Sequence, residues 1–234
     1  MFWFYDYWYI VLVMPAVILS LIASVRVNST FKQYSRVRSQ RGITGAEAAR
    51  RVLDSNGLYS VKIERVRGNL TDHFNPKNNT IYLSDSVHDS PSTAAIGVAA
   101  HEAGHAVQHA VGYTPIKIRA AIIPVTNFAS RLSLPLILLG LLLSASGLIA
   151  LAYLGVACFA MSTVFQLVTL PTEFNASRRA LDAISSSGIL SRDELGGAKR
   201  VLSAAAMTYI AALAVSLMQL LRLLLIVGGS SRRR

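Results

Sequence analysis

Long apolar segments constrain the fold of this chain more than any other feature of its sequence. The first, residues 2–25, reads FWFYDYWYIVLVMPAVILSLIASV and is long enough to cross about 30 Å of hydrocarbon as a helix. It lacks the basic residues that begin a signal peptide, and its apolar stretch is too long for one, so we predict a transmembrane helix over residues 1–26. The aromatic residues at its start are typical of a membrane interface; they are Trp3, Tyr5, Tyr7, Trp8 and Tyr9.

A second apolar segment predicts a pair of crossings. Residues 132–170 are too long for one span and suit two. Ser144, Ser146 and Gly147 lie near the middle, where a tight connection between two helices would fall. We therefore predict a transmembrane helical hairpin. Only 15% of all residues are charged, against about 25% in ordinary soluble domains, which agrees with several spans.

The basic residues indicate which side of the membrane the polar segments occupy. A basic cluster follows the first apolar run directly, consisting of Arg26, Lys32, Arg36, Arg38 and Arg41. Because cytoplasmic loops carry an excess of Lys and Arg, we predict that the polar segments, residues 27–131 and 171–203, are cytoplasmic. The net charge of +11 is explained in this way rather than by nucleic-acid binding, since the chain has no long run of aromatic residues interleaved with basic ones.

The C-terminal segment, residues 204–234, is predicted to be transmembrane or interfacial. Its apolar run, at about 204–227, is long enough for a fourth span, although Arg222 interrupts it. A crossing would place the three terminal arginines outside the cell, against the charge rule. A helix lying partly in the membrane interface is the alternative.

The two polar segments predict a small α+β part. In the first, helices and alternating strands are predicted over residues 44–57, 61–66, 79–85 and 90–112. In the second, Pro171 begins a helix, and Ser191 with Glu194 forms the capping box of another. The predicted fold class is therefore mainly α and integral to the membrane, with about four transmembrane helices and a small α+β cytoplasmic part.

The stretch HEAGHAVQH, residues 101–109, carries the strongest chemical signal. On an α-helix four residues advance about 400°, so His101 and His105 lie on one face, one turn apart. Two imidazoles placed in this way can bind one zinc ion, and Glu102 can reach a water molecule on the metal without being a ligand. The pattern His-Glu-x-x-His is typical of zinc hydrolases in which the glutamate is the general base.

A catalytic zinc usually has three protein ligands and an open position, and the sequence leaves the third ligand open. His109 lies two turns from His101, about 12 Å along a straight helix, which is too far to share one ion. His73 and His88 are candidates, as is any carboxylate in residues 171–203. Among these Glu173 stands out, because it follows an apolar span directly.

Several blocks of the chain together resemble a known family. They read DHFNP, IYLS, AAIGVAAHEAGHAVQHA, PTEFNASRRAL and AAAMTYIAAL, in this order. The chain is similar over most of its length to the YugP-type neutral zinc metallopeptidases of prokaryotic membranes, and more distantly to HtpX-type membrane proteases. The resemblance implies a zincin-like cytoplasmic metalloprotease part.

The resemblance also implies roles for individual residues. His101, His105 and Glu173 would bind one Zn²⁺ per chain, and Glu102 would be the catalytic base. Distant relatives tend to have an aspartate four residues after the ligand glutamate, where it supports a zinc ligand. This chain has Ser177 there, a weaker orienting group.

Further residues are candidates for binding substrate or supporting the site. In gluzincin-like folds an edge strand before the zinc helix pairs with an extended substrate. Candidates for that role here are Ile81, Tyr82, Leu83 and Ser84, and the alternative is that they form an internal strand of the sheet. Tyr209 and His88 are candidate oxyanion donors. Asn175 and Arg178 could orient Glu173 or the substrate. His109 is a candidate supporting group or a bystander, and His73 is expected to be structural.

The predicted function is that of a membrane zinc endopeptidase acting at the cytoplasmic face of a prokaryotic membrane. Its expected partners are membrane lipid and a protein or peptide substrate, without nucleic acid, and no oligomeric state follows from the sequence. The alternative is a zinc-stabilised membrane adaptor without turnover, which would share the ligands but would not need Glu102. A transporter is less favoured, because the predicted spans carry few charges. Arg222 is the exception.

Overall fold

The computed structural model describes residues 6–232 and is mainly helical. Trp3 and Tyr5 of the predicted aromatic cluster, and Arg233 and Arg234 at the other terminus, lie outside these residues. Six helices are α1 (Met14–Tyr34, after a π-helical turn at Tyr9–Val13), α2 (Gly45–Ser55), α3 (Thr93–Ala110), α4 (Thr114–Leu142), α5 (Ile149–Ser186) and α6 (Arg192–Arg232). Three strands are β1 (Lys62–Val66), β2 (His73–Asn75) and β3 (Thr80–Ser84).

Four helical segments within the described residues are long and apolar enough to cross a membrane. They cover Tyr9–Tyr34, Thr114–Leu142, Ile149–Ser186 and Arg192–Ser230. The prediction of about four spans is therefore confirmed at the level of length and composition. The side of the C-terminus and the interfacial alternative for residues 204–234 stay predictions.

The predicted hairpin turns at the predicted position, near residues 144–147. A short 3₁₀ turn at Ser144–Ser146 ends α4, and Gly147 at φ +86° reverses the chain. Only glycine takes this left-handed conformation without strain. The two helices then pack closely, because a Cβ on Gly140 would lie 2.1 Å from the backbone nitrogen of Ala152.

Two helices are longer than the sequence pattern predicts. The helix predicted to begin at Pro171 is wrong, because Pro171 lies inside the continuous helix α5. Helix α4 begins at Thr114, so the boundary predicted between residues 131 and 132 falls within it. Prolines end soluble helices more readily than membrane helices, where neighbouring groups satisfy the freed backbone.

The three strands form one sheet in the order β1-β3-β2, with β3 parallel to β1 and antiparallel to β2. The prediction that Ile81, Tyr82, Leu83 and Ser84 form a substrate-binding edge is therefore wrong. Strand β1 pairs with β3 over Thr80–Ser84, and β2 pairs with its other side over residues 80–82, so β3 is the central strand. The free edges of this sheet belong to β1 and β2.

The chain divides into two compact units. One comprises residues 1–23, 118–170 and 208–234, and the other residues 24–117 and 171–207. The second unit holds the sheet together with α2 and α3. Its core is aliphatic and fully buried, and includes Leu53, Ile81, Leu83, Ile96, Ile184 and Ile189.

Capping contacts define the helix starts in this unit. Thr44 and Glu47 form a reciprocal capping box at α2, as predicted. Ser191 and Glu194 do the same at α6. The side chain of Ser92 accepts a hydrogen bond from the backbone of Ala95 and begins α3, the helix that carries the histidine motif.

Candidate metal centre

Three side chains from two helices converge in the second unit. His101 and His105 lie one turn apart on α3, and Glu173 lies on α5. The carboxylate Oε2 of Glu173 is 3.3 Å from Nε2 of His101 and 3.5 Å from Nε2 of His105. All three candidate ligand atoms lie within 4.8 Å of one another. The three residues together form the metal triad.

The metal triad is largely removed from solvent. The side chain of Glu173 is 3% exposed, and those of His101 and His105 are 14% and 12% exposed. Burial acts to lower the pKa of His105, but hydrogen bonding to the Glu173 carboxylate and the charge of Glu102 outweigh it and leave this pKa raised. The carboxylates of Glu173 and Glu102 therefore favour a positive charge at His105.

Each histidine has a partner on its other ring nitrogen. Nδ1 of His101 lies 3.1 Å from Oγ of Ser177, and Nδ1 of His105 lies 3.0 Å from Oε1 of Gln108. A hydrogen on Nδ1 leaves the lone pair of Nε2 directed at the triad, which is the arrangement that metal-binding histidines require. The orienting role predicted for Ser177 is compatible with this contact and stays a prediction.

Gln108 links the two helices that carry the triad, although the sequence pattern did not identify it as a site residue. It is completely buried. Its Nε2 donates to the backbone oxygen of Thr172 at 2.8 Å and to Oδ1 of Asn175 at 3.0 Å, on either side of Glu173 in sequence. Arg179 donates to the same Asn175 oxygen at 2.8 Å. The sequence feature that could have identified Gln108 is its position three residues after His105, because this spacing places both side chains on one face of α3.

Helices α3 and α5 approach closely at the triad because Gly104 has no side chain. A Cβ at this position would lie 2.7 Å from the backbone oxygen of Ala176. Gly104 precedes His105, and Ala176 precedes Ser177, so the contact holds together the two stretches of helix that supply the site. Gly104, a small residue within the motif, is therefore needed for the distance between the helices.

Glu102 lies beside the triad in sequence and points to the sheet. It is 8% exposed, and its Oε2 accepts a hydrogen bond from the backbone N–H of Phe74 at 3.0 Å. Phe74 is the middle residue of β2, and its N–H is directed away from β3. The edge of the sheet that contacts the candidate base is thus β2, and not the predicted strand.

Asp72 fixes the beginning of this edge strand. Its carboxylate accepts hydrogen bonds from the backbone N–H of Ser84 at 2.7 Å and from the Ser84 hydroxyl at 2.9 Å. Burial raises the pKa of Asp72, against the lowering effect of these hydrogen bonds, and the nearby charge of Glu102 raises it further. Asp72 therefore ties β2 to the end of β3, next to the residue that contacts Glu102.

The other predicted site residues lie elsewhere or make different contacts. His88 pairs with Asp89 at 2.6 Å. The ring of His109 packs against that of Phe74 at 5.4 Å. His73 is bonded to the Thr71 backbone and stacks on Tyr82. Among the described residues, none of these histidines belongs to the metal triad.

The remaining candidates fall into two groups. Asn175 takes part in the Gln108 network, and Arg178 lines a cavity with Tyr113, Pro171 and Phe174. Tyr209 lies on α6 within the first compact unit. The oxyanion role proposed for Tyr209 and His88 stays a prediction.

The donor set fits zinc. Two imidazole nitrogens and one carboxylate oxygen are the ligand types of catalytic zinc sites. Ligand atoms bound to one zinc at about 2.0–2.1 Å in a tetrahedral arrangement lie roughly 3.3 Å apart. The 3.3 and 3.5 Å separations between Glu173 and the two histidines match this value. Among the candidates that the sequence left open for the third ligand, Glu173 is the one that lies beside both histidines.

Comparison with known proteins agrees with this chemistry. A family model described as "Putative neutral zinc metallopeptidase" matches residues 9–228. The chain is 48% identical over 218 residues to "Putative membrane protease YugP" of Bacillus subtilis (strain 168), and the match covers 93% of this chain and 96% of that protein. No solved structure matches the chain. Because the family model matches almost the whole chain and the relative is 48% identical over most of it, the chain belongs to the neutral zinc metallopeptidase family.

Proposed function

We propose that this protein is a membrane zinc endopeptidase. The observation that carries the proposal is the convergence of His101, His105 and Glu173 within 4.8 Å, with Glu102 beside them in the sequence. Family membership supports the reaction class. The zincin-like character of the second compact unit is part of this proposal, supported by the motif helix, the sheet and the glutamate from a second helix.

The residues of the chain have separate tasks in this proposal. His101, His105 and Glu173 hold one zinc ion, which when bound polarises a carbonyl group and makes a water molecule acidic. Glu102 accepts a proton from the attacking water and passes it to the leaving amine. The water thus supplies a hydroxyl to the acyl carbon and a proton to the nitrogen. The hydrogen bond from Phe74 orients the Glu102 carboxylate.

Replacing the proposed base tests the function. Purified protein should contain about one zinc per chain, and Glu102→Gln should retain the metal while cleavage of a peptide library falls by at least about 10³-fold. The matched control is Glu64→Gln, because Glu64 is exposed on β1 and outside the metal triad. Metal content is measured by elemental analysis and cleavage by mass spectrometry.

The same variant separates an enzyme from an adaptor. An adaptor needs the metal ligands but not the base, so a strain carrying Glu102→Gln would behave as wild type while His105→Ala would not. Cleavage that persists in pure Glu102→Gln protein would contradict the peptidase proposal.

We further infer that the polar residues of the second compact unit, residues 24–117 and 171–207, face the cytoplasm. The basic cluster after the first span supports this orientation, as do the basic residues of the second segment. The test introduces a cysteine at exposed Lys77 in a Cys158→Ala background and labels intact cells with a membrane-impermeant maleimide. Labelling is expected only after the cells are opened, and labelling of intact cells would reverse the orientation.

A further inference from the structure

A second cavity lies between α1 and α6 and shares no lining residue with the metal triad. Its volume is about 690 Å³. Helix α1 contributes residues spaced by four, Arg26, Thr30 and Tyr34. Helix α6 contributes Lys199, Arg200 and Ser203. These spacings place each set on one face of its helix, so the two helices present polar faces to a common space.

The cavity is strongly positive. Arg26, Lys199 and Arg200 line it, and no aspartate or glutamate does. Within residues 6–232, none of these three cations is paired with a carboxylate. Like charges held around one space repel each other, so the arrangement is stabilised by a bound anion.

One of the three cations, Arg200, is hydrogen-bonded to the opposite helix. Nη1 of Arg200 donates a hydrogen bond to the hydroxyl oxygen of Tyr34 at 2.7 Å, which joins α6 to α1 across the cavity. The guanidinium of Arg200, which is exposed, keeps its remaining N–H groups in the planar arrangement that suits phosphate oxygens. The hydroxyls of Thr30 and Ser203 add donors that a phosphate ester can use.

The position of the cavity along the chain identifies the class of ligand. Arg26 follows the first apolar run directly, and the lining residues of α6 continue to Met207, within the start of the last apolar run. Apolar side chains beside the cations are exposed, with Val25 at 69% and Met207 at 45%. A ligand that carries both an anionic phosphate and an acyl chain satisfies both features. A soluble phosphate satisfies only the first.

We propose that this cavity binds the phosphate-bearing headgroup of an anionic phospholipid. Basic pockets between membrane helices are known to recognise such headgroups. The site is independent of the proposed peptidase activity, because no member of the metal triad and no contact of Glu102 lines it. It would hold α1 and α6 together at the membrane surface in membranes that contain anionic lipid.

The test compares lipid binding in two triple variants of the full-length protein. The first replaces the cations of the cavity, as Arg26→Gln, Lys199→Gln and Arg200→Gln. The second removes the same charge from exposed positions outside the cavity, as Arg51→Gln, Arg67→Gln and Lys77→Gln. Each protein is incubated in detergent with mixed phosphatidylglycerol and phosphatidylcholine, and the bound lipid is quantified by mass spectrometry.

The wild type and the control variant should retain phosphatidylglycerol in preference to phosphatidylcholine. The cavity variant should lose this preference by roughly fivefold for each cation removed. Tyr34→Phe, which releases Arg200 while keeping all charges, should lose it by about two- to threefold. Melting temperatures of all variants establish that they are folded, and Tyr34→Phe supplies the result if the triple variant is not.

Two outcomes would overturn the proposal. One is equal retention of phosphatidylglycerol by the cavity variant and the control variant. The other is binding of inorganic phosphate by the wild type without enrichment of phosphatidylglycerol, which would assign the cavity to a soluble anion.

Discussion

At the scale of single residues, the candidate site depends on groups that are not metal ligands. Gln108 joins His105 to two positions of α5, and Ser177 contacts His101. Both partners act on the ring nitrogen opposite the triad, so they determine which way each imidazole presents its lone pair. Partners of this kind typically change metal affinity by 10- to 100-fold, on the order of 1–3 kcal/mol.

Gln108→Leu should weaken zinc binding without removing any ligand. The variant keeps the volume of the side chain but cannot accept from His105 or donate to α5. We expect an affinity loss of about 10- to 100-fold, measured by competition with a chelator, and an altered d–d spectrum of the cobalt-substituted protein. Gln40→Leu is the matched control, because its side chain is exposed at a turn. An unchanged affinity in Gln108→Leu would remove the residue from the site.

At the scale of secondary structure, the site depends on how closely two helices pack. Gly104 allows the backbone of α3 to contact that of α5 at Ala176. The three triad atoms lie on both helices, so a change in the spacing between α3 and α5 changes the distance from Glu173 to each histidine.

Gly104→Ala should therefore impair both stability and zinc binding. Its Cβ would lie 2.7 Å from a backbone oxygen, and overpacking of this kind costs about 1–3 kcal/mol. Melting temperature and zinc affinity are measured on the same sample. Gly196→Ala is the control, because its Cβ would meet nothing within 4 Å and alanine is the better helix former by roughly 0.5–1 kcal/mol. A Gly104→Ala protein as stable as the control would contradict the close contact.

The sheet illustrates a limit of strand prediction. The apolar alternation of residues 79–85 predicts a strand, and β3 occupies residues 80–84. The same alternation carries no information on whether a strand is central or at an edge, because that depends on which other segments pair with it. The short β2, a segment of only three residues, provides the edge that reaches Glu102.

At the scale of the whole molecule, the charge inside the last apolar run has a partner at the other end of the chain. Within the first compact unit, Arg222 donates from Nε and Nη2 to the Asp6 carboxylate, and its guanidinium lies 5.5 Å from the centre of the Tyr9 ring. The pair joins segments that are 216 residues apart. The charge that weakened the prediction of a fourth span is therefore compensated within the protein.

Asp6→Ala should destabilise the protein by leaving the Arg222 charge without its carboxylate. We expect a loss of about 1–2 kcal/mol in the free energy of unfolding, measured in detergent by denaturation. Arg222→Leu in the same chain should recover most of it, because the double variant has no charge to compensate. Asp54→Ala, which breaks a half-exposed pair within one helix, should cost about 1 kcal/mol or less. If the double variant lost as much free energy of unfolding as Asp6→Ala alone, the proposed coupling between Asp6 and Arg222 would be contradicted.

The sequence by itself determined the features that depend on local spacing and composition. Apolar length predicts the four spans, Gly147 predicts the turn of the hairpin, and helical spacing brings His101 and His105 together. These follow from the dimensions of a helix and of a bilayer, which are the same in every protein. Helical spacing also excluded His109 as a ligand of the same ion.

Only the tertiary structure decided which distant groups meet. The packing of the helices brings Glu173, and not His73 or His88, beside His101 and His105. It also brings Gln108 into contact with His105 and α5. The sheet edge that contacts Glu102 is β2 and not β3. The packing of the helices also gathers Arg26, Lys199 and Arg200 around one cavity. The physical reason is that each of these contacts joins segments far apart in the chain, and the packing of whole helices and strands, rather than the pattern within any one of them, sets the distance between their side chains.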